Sequence, residues 1–436
     1  MPLHIPSHSN LTRPKKPIEG RFLKPNTRAL ALSLAALTTL LLAASPPEQE
    51  EVVMDEARYI IAVLENRAFE SIASAEHARG EGMIESARSR RTPTLSLGRE
   101  QSNQPGGLMI ENNLTVQQTL SLSKRRDGQI ATARANLASQ DARTEALRLE
   151  RVTRARELFY RTLWLQERIQ IREALHAQLE AFEDALQKRV DAGESSPYDL
   201  ERVRVEIAES EARIAVERSD SSAARMELAS WTGNAMASVK PSGVLAPSPV
   251  NSTPERALEQ IERCPQFIAD AKAIDHWREG VEATSRNLVP DPTLGGGYLG
   301  GRQGEQRFHG FVLMGSIPLV APAKVRGERL LAEATVKREE NERALAMRQR
   351  QSAARQHAHQ TTQLVEAAER YRSEGIARAE RLLELANQAY EGDEASILAV
   401  IDAHRSVMQA KLHHGELIAR ARAHDIQYRD AVCAIP

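Results

Sequence analysis

The chain has 436 residues, 41% of them hydrophobic but only 4% aromatic, with 27% charged and a formal net charge of −1. Seven Phe, seven Tyr and three Trp are few for large globular cores. The Ala-, Arg-, Glu- and Leu-rich mixture points to long helices packed along narrow seams, and the apolar periodicity inside the charged segments argues against a disordered chain.

The first 45 residues stand apart. Arg13, Lys15, Lys16, Arg21, Lys24 and Arg28 precede the uncharged run "ALALSLAALTTLLLAAS" at 29–45. A basic region, an apolar run and small residues read as a secretory signal, cleaved near 43–46; an uncleaved anchor would need about 20 apolar residues. Removing 1–45 takes the formal charge from −1 to −6, because the segment carries six basic residues and one acidic one, Glu19. A mildly acidic mature chain has no nucleic-acid footprint. The two cysteines, Cys264 and Cys433, could pair in an exported chain or stand as isolated thiols.

From Glu50 onward one order of events occurs twice. A helical stretch leads to Pro93, then "TPTLSLGRE", the turn "QSNQPGG" and "NNLTVQQTLSLS". Leu114, Val116, Leu120 and Leu122 alternate there with polar residues, a period-2 pattern broken only by Gln118. A long helix is expected from about 124 to 190, with a break at "DAGESSPYD" and helix again to about 231. Its seam, Leu175, Leu179, Phe182, Leu186 and Val190, has helix-packing spacing. A Pro/Ser-rich linker at 233–253 follows. In the second half, helix from about 255 leads to "VPDPTLGGGYLGG", the turn "RQGEQ" and "RFHGFVLMGSIPLV", where Phe311, Leu313, Ile317 and Leu319 alternate with Val312, Met314 and Ser316. Helix is then expected from about 324 to 390, a break at "EGDEAS", and helix to about 430. Pro93-Thr94-Leu95 and Pro292-Thr293-Leu294, like Gly193 and Gly392, are 199 residues apart.

The expected organisation is therefore a signal at 1–45, a first repeat at 50–232 (strands about 93–122, helices about 124–231), the linker, and a second repeat at 254–430 (strands about 292–320, helices about 324–430). Each strand is about ten residues, a length that crosses a bilayer when tilted, and the apolar–polar dyad fits a membrane β-barrel. Four strands cannot close a barrel, and open sheet edges do not span lipid. Copies of the chain must then share one barrel, with Leu114, Val116, Leu120, Leu122, Phe311 and Leu313 facing outer-membrane lipid.

These features resemble the outer-membrane efflux protein family, the TolC-like outer-membrane factors, over about residues 50–430. The likeness is nearest to the CzcC-like heavy-metal branch. It is carried by Ser123-Lys124-Arg125-Arg126 after the second strand, Pro290-Asp291-Pro292 before the third, Pro318-Leu319 with Gly327-Glu328, the tip pattern Gly193, Ser196, Asp199, and Gly392 and Ser396 followed by "AVIDAHRSVMQAKL". Departures are Ser123 for the usual glycine, Pro322 at an aromatic position, and Ala399 at the first of two acidic positions. The resemblance implies a mainly α chain with a membrane β-barrel portion, two repeats of long helical hairpins plus β-hairpins, and a trimeric α/β-barrel tube. It implies a homotrimeric duct rather than an enzyme, working with a periplasmic adaptor and an inner-membrane RND pump, with heavy-metal cations as cargo. Export of drugs or other small molecules, and a periplasmic adaptor or coiled-coil scaffold, are the competing readings.

The chain has no GxxxxGK[ST], HExxH or CxxC, so no catalytic, cofactor or metal residue is assigned. His357 and His359, and His413 and His414, do not share a helix face. The helix breaks are the informative points. In the resemblance they form the periplasmic entrance, which makes Asp199, Tyr390, Glu391, Asp393 and Asp402 the gate candidates. A polar link between Asp199 and Tyr390 is expected, with the carboxylates lining or flanking a cation-favouring mouth.

Overall fold

A computed structural model describes residues 51–105, 107–234, 237–247, 254–319 and 321–434, so the expected signal at 1–45 lies outside the described residues. Strand β1 (Glu51–Met54) is followed by helices α1 (Glu56–Leu64) and α2 (Arg67–Arg88). The side chains of Asp55 and Asn66 cap them, accepting from the amides of Arg58 and Ala68 at 2.8 and 3.0 Å. Strands β2 (Thr94–Gln104) and β3 (Gly107–Thr119) form the first hairpin. Helix α3 (Arg125–Asp191) runs 67 residues without a break, about 100 Å at ~1.5 Å per residue. Its partner α4 (Pro197–Trp231) starts with Pro197 in the first turn, behind Ser196, whose hydroxyl accepts from Tyr198 N.

Within the Pro/Ser-rich stretch 233–253, β4 (Ser238–Pro241) pairs in parallel with β1. Helices α5 (Pro254–Glu262) and α6 (Pro265–Ser285) follow, split at Cys264-Pro265, where proline removes a helix donor. Then come β5 (Thr293–Gln303), β6 (Gln306–Ser316), α7 (Pro322–Tyr371), α8 (Ala377–Glu391) and α9 (Ile397–Ala431). The helical run expected from about 324 to 390 extends from Pro322 to Glu391, with one π-turn over Arg372–Ile376 dividing it into α7 and α8. The Tyr371 ring lies over Gly375, where an added Cβ would come within 2.7 Å of it, and reaches His413 with ring centres 4.9 Å apart. Strand β3 also ends earlier than read, at Thr119, so Leu120 and Leu122 lie beyond it.

Three apolar clusters hold the helices together. Tyr59, Phe159, Leu228 and Val239 centre one among α1, α3, α4 and β4; Leu186, Val203, Ile397 and Val400 centre another where the two helix breaks meet. The third, around Ile261, Phe267 and Tyr428, contains Cys264, which forms a disulfide with Cys433. The pairing left open by the sequence is thus made, across 169 residues of chain. Among the described residues no helix is long and apolar enough to cross a membrane.

Candidate functional site

Strands β2, β3, β5 and β6 form one antiparallel sheet in the order β2-β3-β5-β6, leaving β2 and β6 as edges. Their lengths are 11, 13, 11 and 11 residues. Side chains of paired residues share a face, because the pleat has period two. The register therefore assembles rows. Leu97, Leu114, Tyr298 and Phe311 form one, and Leu95, Val116, Gly296 and Leu313 the next. This face is bare: Leu97 is 78% exposed, Phe311 91% and Leu313 90%. The exposed apolar run continues past β6 through Ile317 and Leu319.

On the same face, toward the hairpin turns, the rows change character. Arg99, Asn112, Gly300 and His309 come next, then Gln101, Ile110, Arg302 and Arg307. The opposite face carries Ser96, Thr115, Gly297 and Val312 in one row and Glu100, Glu111, Gly301 and Phe308 in another. Gly297 is needed there, since a Cβ would lie 2.2 Å from the Leu114 carbonyl oxygen and 2.6 Å from Thr115 Cγ2. Of the six apolar residues expected to share a face, Leu114, Val116, Phe311 and Leu313 do so. Leu120 and Leu122 stay exposed but belong to the link into α3. Leu95, Leu97 and Tyr298 join the face; the sequence predicts the strand at "TPTLSLGRE" but does not assign its two leucines to that face, because Gly98 and Arg99 follow them, nor Tyr298, which sits among glycines.

Asp291 closes the junction between sheet and helices. It is buried, accepts from the amides of Leu122 and Ser123 at 2.9 Å each, and has Arg91 and Arg125 at 3.8 and 4.0 Å. Burial alone would raise its pKa, but these amides, the Ser123 hydroxyl and Arg125 together hold it below the ordinary aspartate value. The amide of Leu120 also donates to the Pro292 carbonyl at 2.8 Å. The Pro-Asp-Pro stretch thereby ties the exit of β3 to the entry of β5.

At the far end of the helices the two breaks come together. In the first, Gly193 has φ 76° and the Glu194 amide donates to the Arg189 carbonyl; in the second the left-handed residue is Asp393, φ 56°, and the Glu394 amide donates to Ala389. Gly392, which the 199-residue offset equates with Gly193, is not in that conformation. The turn therefore aligns with an offset of 200, matching Ser196 with Ser396 and Asp199 with Ala399, whose amides donate to those serine carbonyls at 3.0 Å each.

The expected link between Asp199 and Tyr390 is not formed within the chain: among the described residues no hydrogen bond joins them. Tyr390 is buried, its ring turned into the tip cluster against Phe182 with centres 5.9 Å apart. The polar connection runs instead through Arg189, which the sequence reading missed. Its guanidinium lies 5.3 Å from the Tyr390 ring centre and 3.7 Å from the Asp393 carboxylate. Asp199 is half-buried in the first turn of α4, and Glu391 and Asp402 are exposed. Higher up, Arg405 of α9 grips Glu206 of α4 with two bonds, at 2.9 and 2.5 Å.

An apolar outward-facing sheet at one end of a long helical assembly, with acidic breaks at the other, is the architecture of outer-membrane efflux channels, and the chain resembles that family. No family model matches the sequence. It is 24% identical, over 320 residues covering 68% of this chain and 75% of the relative, to the cobalt-zinc-cadmium resistance protein CzcC of Cupriavidus metallidurans. Its fold matches the crystal structure of CusC, described for transmembrane channel formation, with TM-score 0.70 and 15% identity over 86% of this chain and 91% of that one. It also matches the outer membrane protein VceC of Vibrio cholerae, with TM-score 0.67 and 17% identity over 86% and 95% of the two chains.

Proposed function

We propose that the chain is the outer-membrane exit duct of a tripartite efflux system. Three copies close a twelve-strand barrel, their helices extend as a tube into the periplasm, and the acidic tips form its entrance. The observation that carries this is the sheet: four membrane-length strands with one bare apolar face and two open edges. In lipid an open edge costs several kcal/mol per unsatisfied peptide group. Pairing β2 of one copy with β6 of the next removes both edges and leaves the apolar face to lipid. The Arg99, Arg302, Arg307 and His309 rows then lie at headgroup depth, beyond the hydrocarbon. The Cys264–Cys433 disulfide fits an exported protein.

The likeness to CzcC supports heavy-metal cations as cargo, with a periplasmic adaptor and an inner-membrane RND pump as partners. Expression in a metal-sensitive strain lacking its own duct tests both levels. Detergent-resistant trimers in the outer-membrane fraction together with restored zinc, cobalt or cadmium tolerance are expected. Trimers that restore tolerance to organic toxic compounds alone would replace the cargo, and a soluble monomer would remove the duct.

A further inference from the structure

The facing surfaces of α3 and α4 are joined by a ladder of carboxylate–arginine rungs. Glu183 pairs with Arg204 at 2.8 Å, Glu173 with Arg218 at 2.6 Å, and Glu217 with Arg168 and Arg172 at 2.5 and 2.8 Å. One rung breaks the pattern. Between the Glu183 and Glu173 levels, His176 of α3 faces Glu180, one turn further along the same helix, and Glu211 of α4. Its Nε2 is 3.4 Å from Glu180 Oε1 and 4.0 Å from Glu211 Oε1. Among the described residues neither glutamate has an arginine or lysine partner. The arginines that line the same cavity are engaged elsewhere, Arg172 with Glu217, Arg213 with Glu209 and Arg405 with Glu206.

We propose that His176, Glu180 and Glu211 form a binding site for a borderline divalent cation of the zinc, cobalt and nickel class. One imidazole nitrogen with two carboxylates, i and i+4 on one helix and a third ligand across the helix pair, is a donor set that suits these ions. The candidate ligand atoms all lie within 4.8 Å of one another. Metal bonds of about 2.0 to 2.1 Å place tetrahedral ligands roughly 3.3 Å apart, and the His176–Glu180 separation already has that value. Glu211 closes the remaining gap by a small rotation of an exposed side chain. The His176 ring is largely buried beside Leu175 and Leu179 around a small cavity, and its Nδ1 is buried without a hydrogen-bond partner. Nε2 is the nitrogen turned toward the carboxylates. Water completes the shell, and the bound ion supplies the positive charge that arginine supplies at the other rungs, fastening α3 to α4. The site stands on this geometry alone and does not require the efflux reading.

The test uses the purified, tag-free protein stripped with a chelator and titrated with cobalt(II), following the visible absorption of the bound ion, and with zinc(II) against a chromophoric chelator. One saturable site per chain is expected. It should weaken by about tenfold or more in Glu211→Gln and in Glu180→Gln, and Glu173→Gln should bind as the parent does. Both glutamates are exposed, so the variants should fold; thermal unfolding followed by circular dichroism checks this, and zinc should raise the midpoint of the parent more than that of either variant. Binding unchanged in the two glutamine variants, or no saturable binding to the parent, would overturn the site.

Discussion

Single side chains at the sheet and at the helix breaks have consequences out of proportion to their size. Asp291 satisfies two amides that the chain exposes as it leaves β3, and sits against two arginines. Asp291→Ala should destabilise the fold by about 1.5 to 3 kcal/mol, the worth of hydrogen bonds to a charged group, measured by chemical denaturation. Asp291→Asn, able to keep one acceptor, should cost less. The sheet offers a sharper comparison. Leu97 stands on the bare face and Ser96 on the other. An arginine facing mid-bilayer costs about 2 to 4 kcal/mol, while a lumen-facing one is tolerated. Leu97→Arg should therefore lower the yield of membrane-assembled protein far more than Ser96→Arg; equal yields would reject the assigned faces. Side chains of this kind differ in how readily a sequence reveals them. The alternation of Leu114 and Val116, or of Phe311 and Leu313, is a local pattern and was readable. Arg189 was not, because one arginine among 58 basic residues carries no mark; only the meeting of two breaks 200 residues apart makes it the contact to Tyr390 and Asp393.

At the scale of elements, periodicity was informative where packing repeats and silent where one residue changes the geometry. The seam of α3 buries Leu175, Leu179 and Leu186 as its spacing requires. The π-turn between α7 and α8 escaped, since a glycine under a tyrosine ring leaves the apolar spacing intact. The same helices hold histidines whose pairing is equally nonlocal. His357 of α7 and His424 of α9 stack with ring centres 5.3 Å apart and their Nδ1 atoms 3.1 Å apart. Burial lowers both pKa values, and the neighbouring ring lowers that of His357 further against the pull of Asp430. His404 of α9 is buried beside Phe182 and is also lowered by burial, opposed by Glu206. A group whose folded pKa lies below its unfolded value of about 6.5 contributes fully above that pH. As pH falls below it the unfolded chain takes up protons first, and stability declines through the folded pKa values. The melting temperature should thus drop on acidification below about pH 6.5. The drop should be smaller in the double variant His357→Gln, His424→Gln; identical pH slopes would show that the pair does not contribute.

At the scale of the whole molecule, the contact between the two helix breaks is the one that would lie at the entrance of the proposed duct. Packing there is mostly apolar, through Leu186, Tyr390 and Ile397, with Arg189 laid over the tyrosine and reaching Asp393. Asp393 is 87% exposed, so its ion pair contributes only about 0.2 to 1 kcal/mol; the cation–π contact adds about 0.5 to 1 kcal/mol. Neither would hold a mouth shut alone. In a threefold assembly the same contacts recur, for roughly 2 to 6 kcal/mol in total, enough to shift an open–closed balance by one or more decades while leaving it reversible. That range would suit the proposed entrance if a partner protein opens it by contact. Arg189→Ala should therefore raise single-channel conductance in planar bilayers while trimer yield stays the same, because the apolar cluster that supports folding is untouched. Asp402→Asn, an exposed carboxylate outside that contact, should leave conductance alone and weaken block by divalent cations. Unchanged conductance in Arg189→Ala would assign closure of the mouth to the apolar packing and leave Arg189 a surface contact.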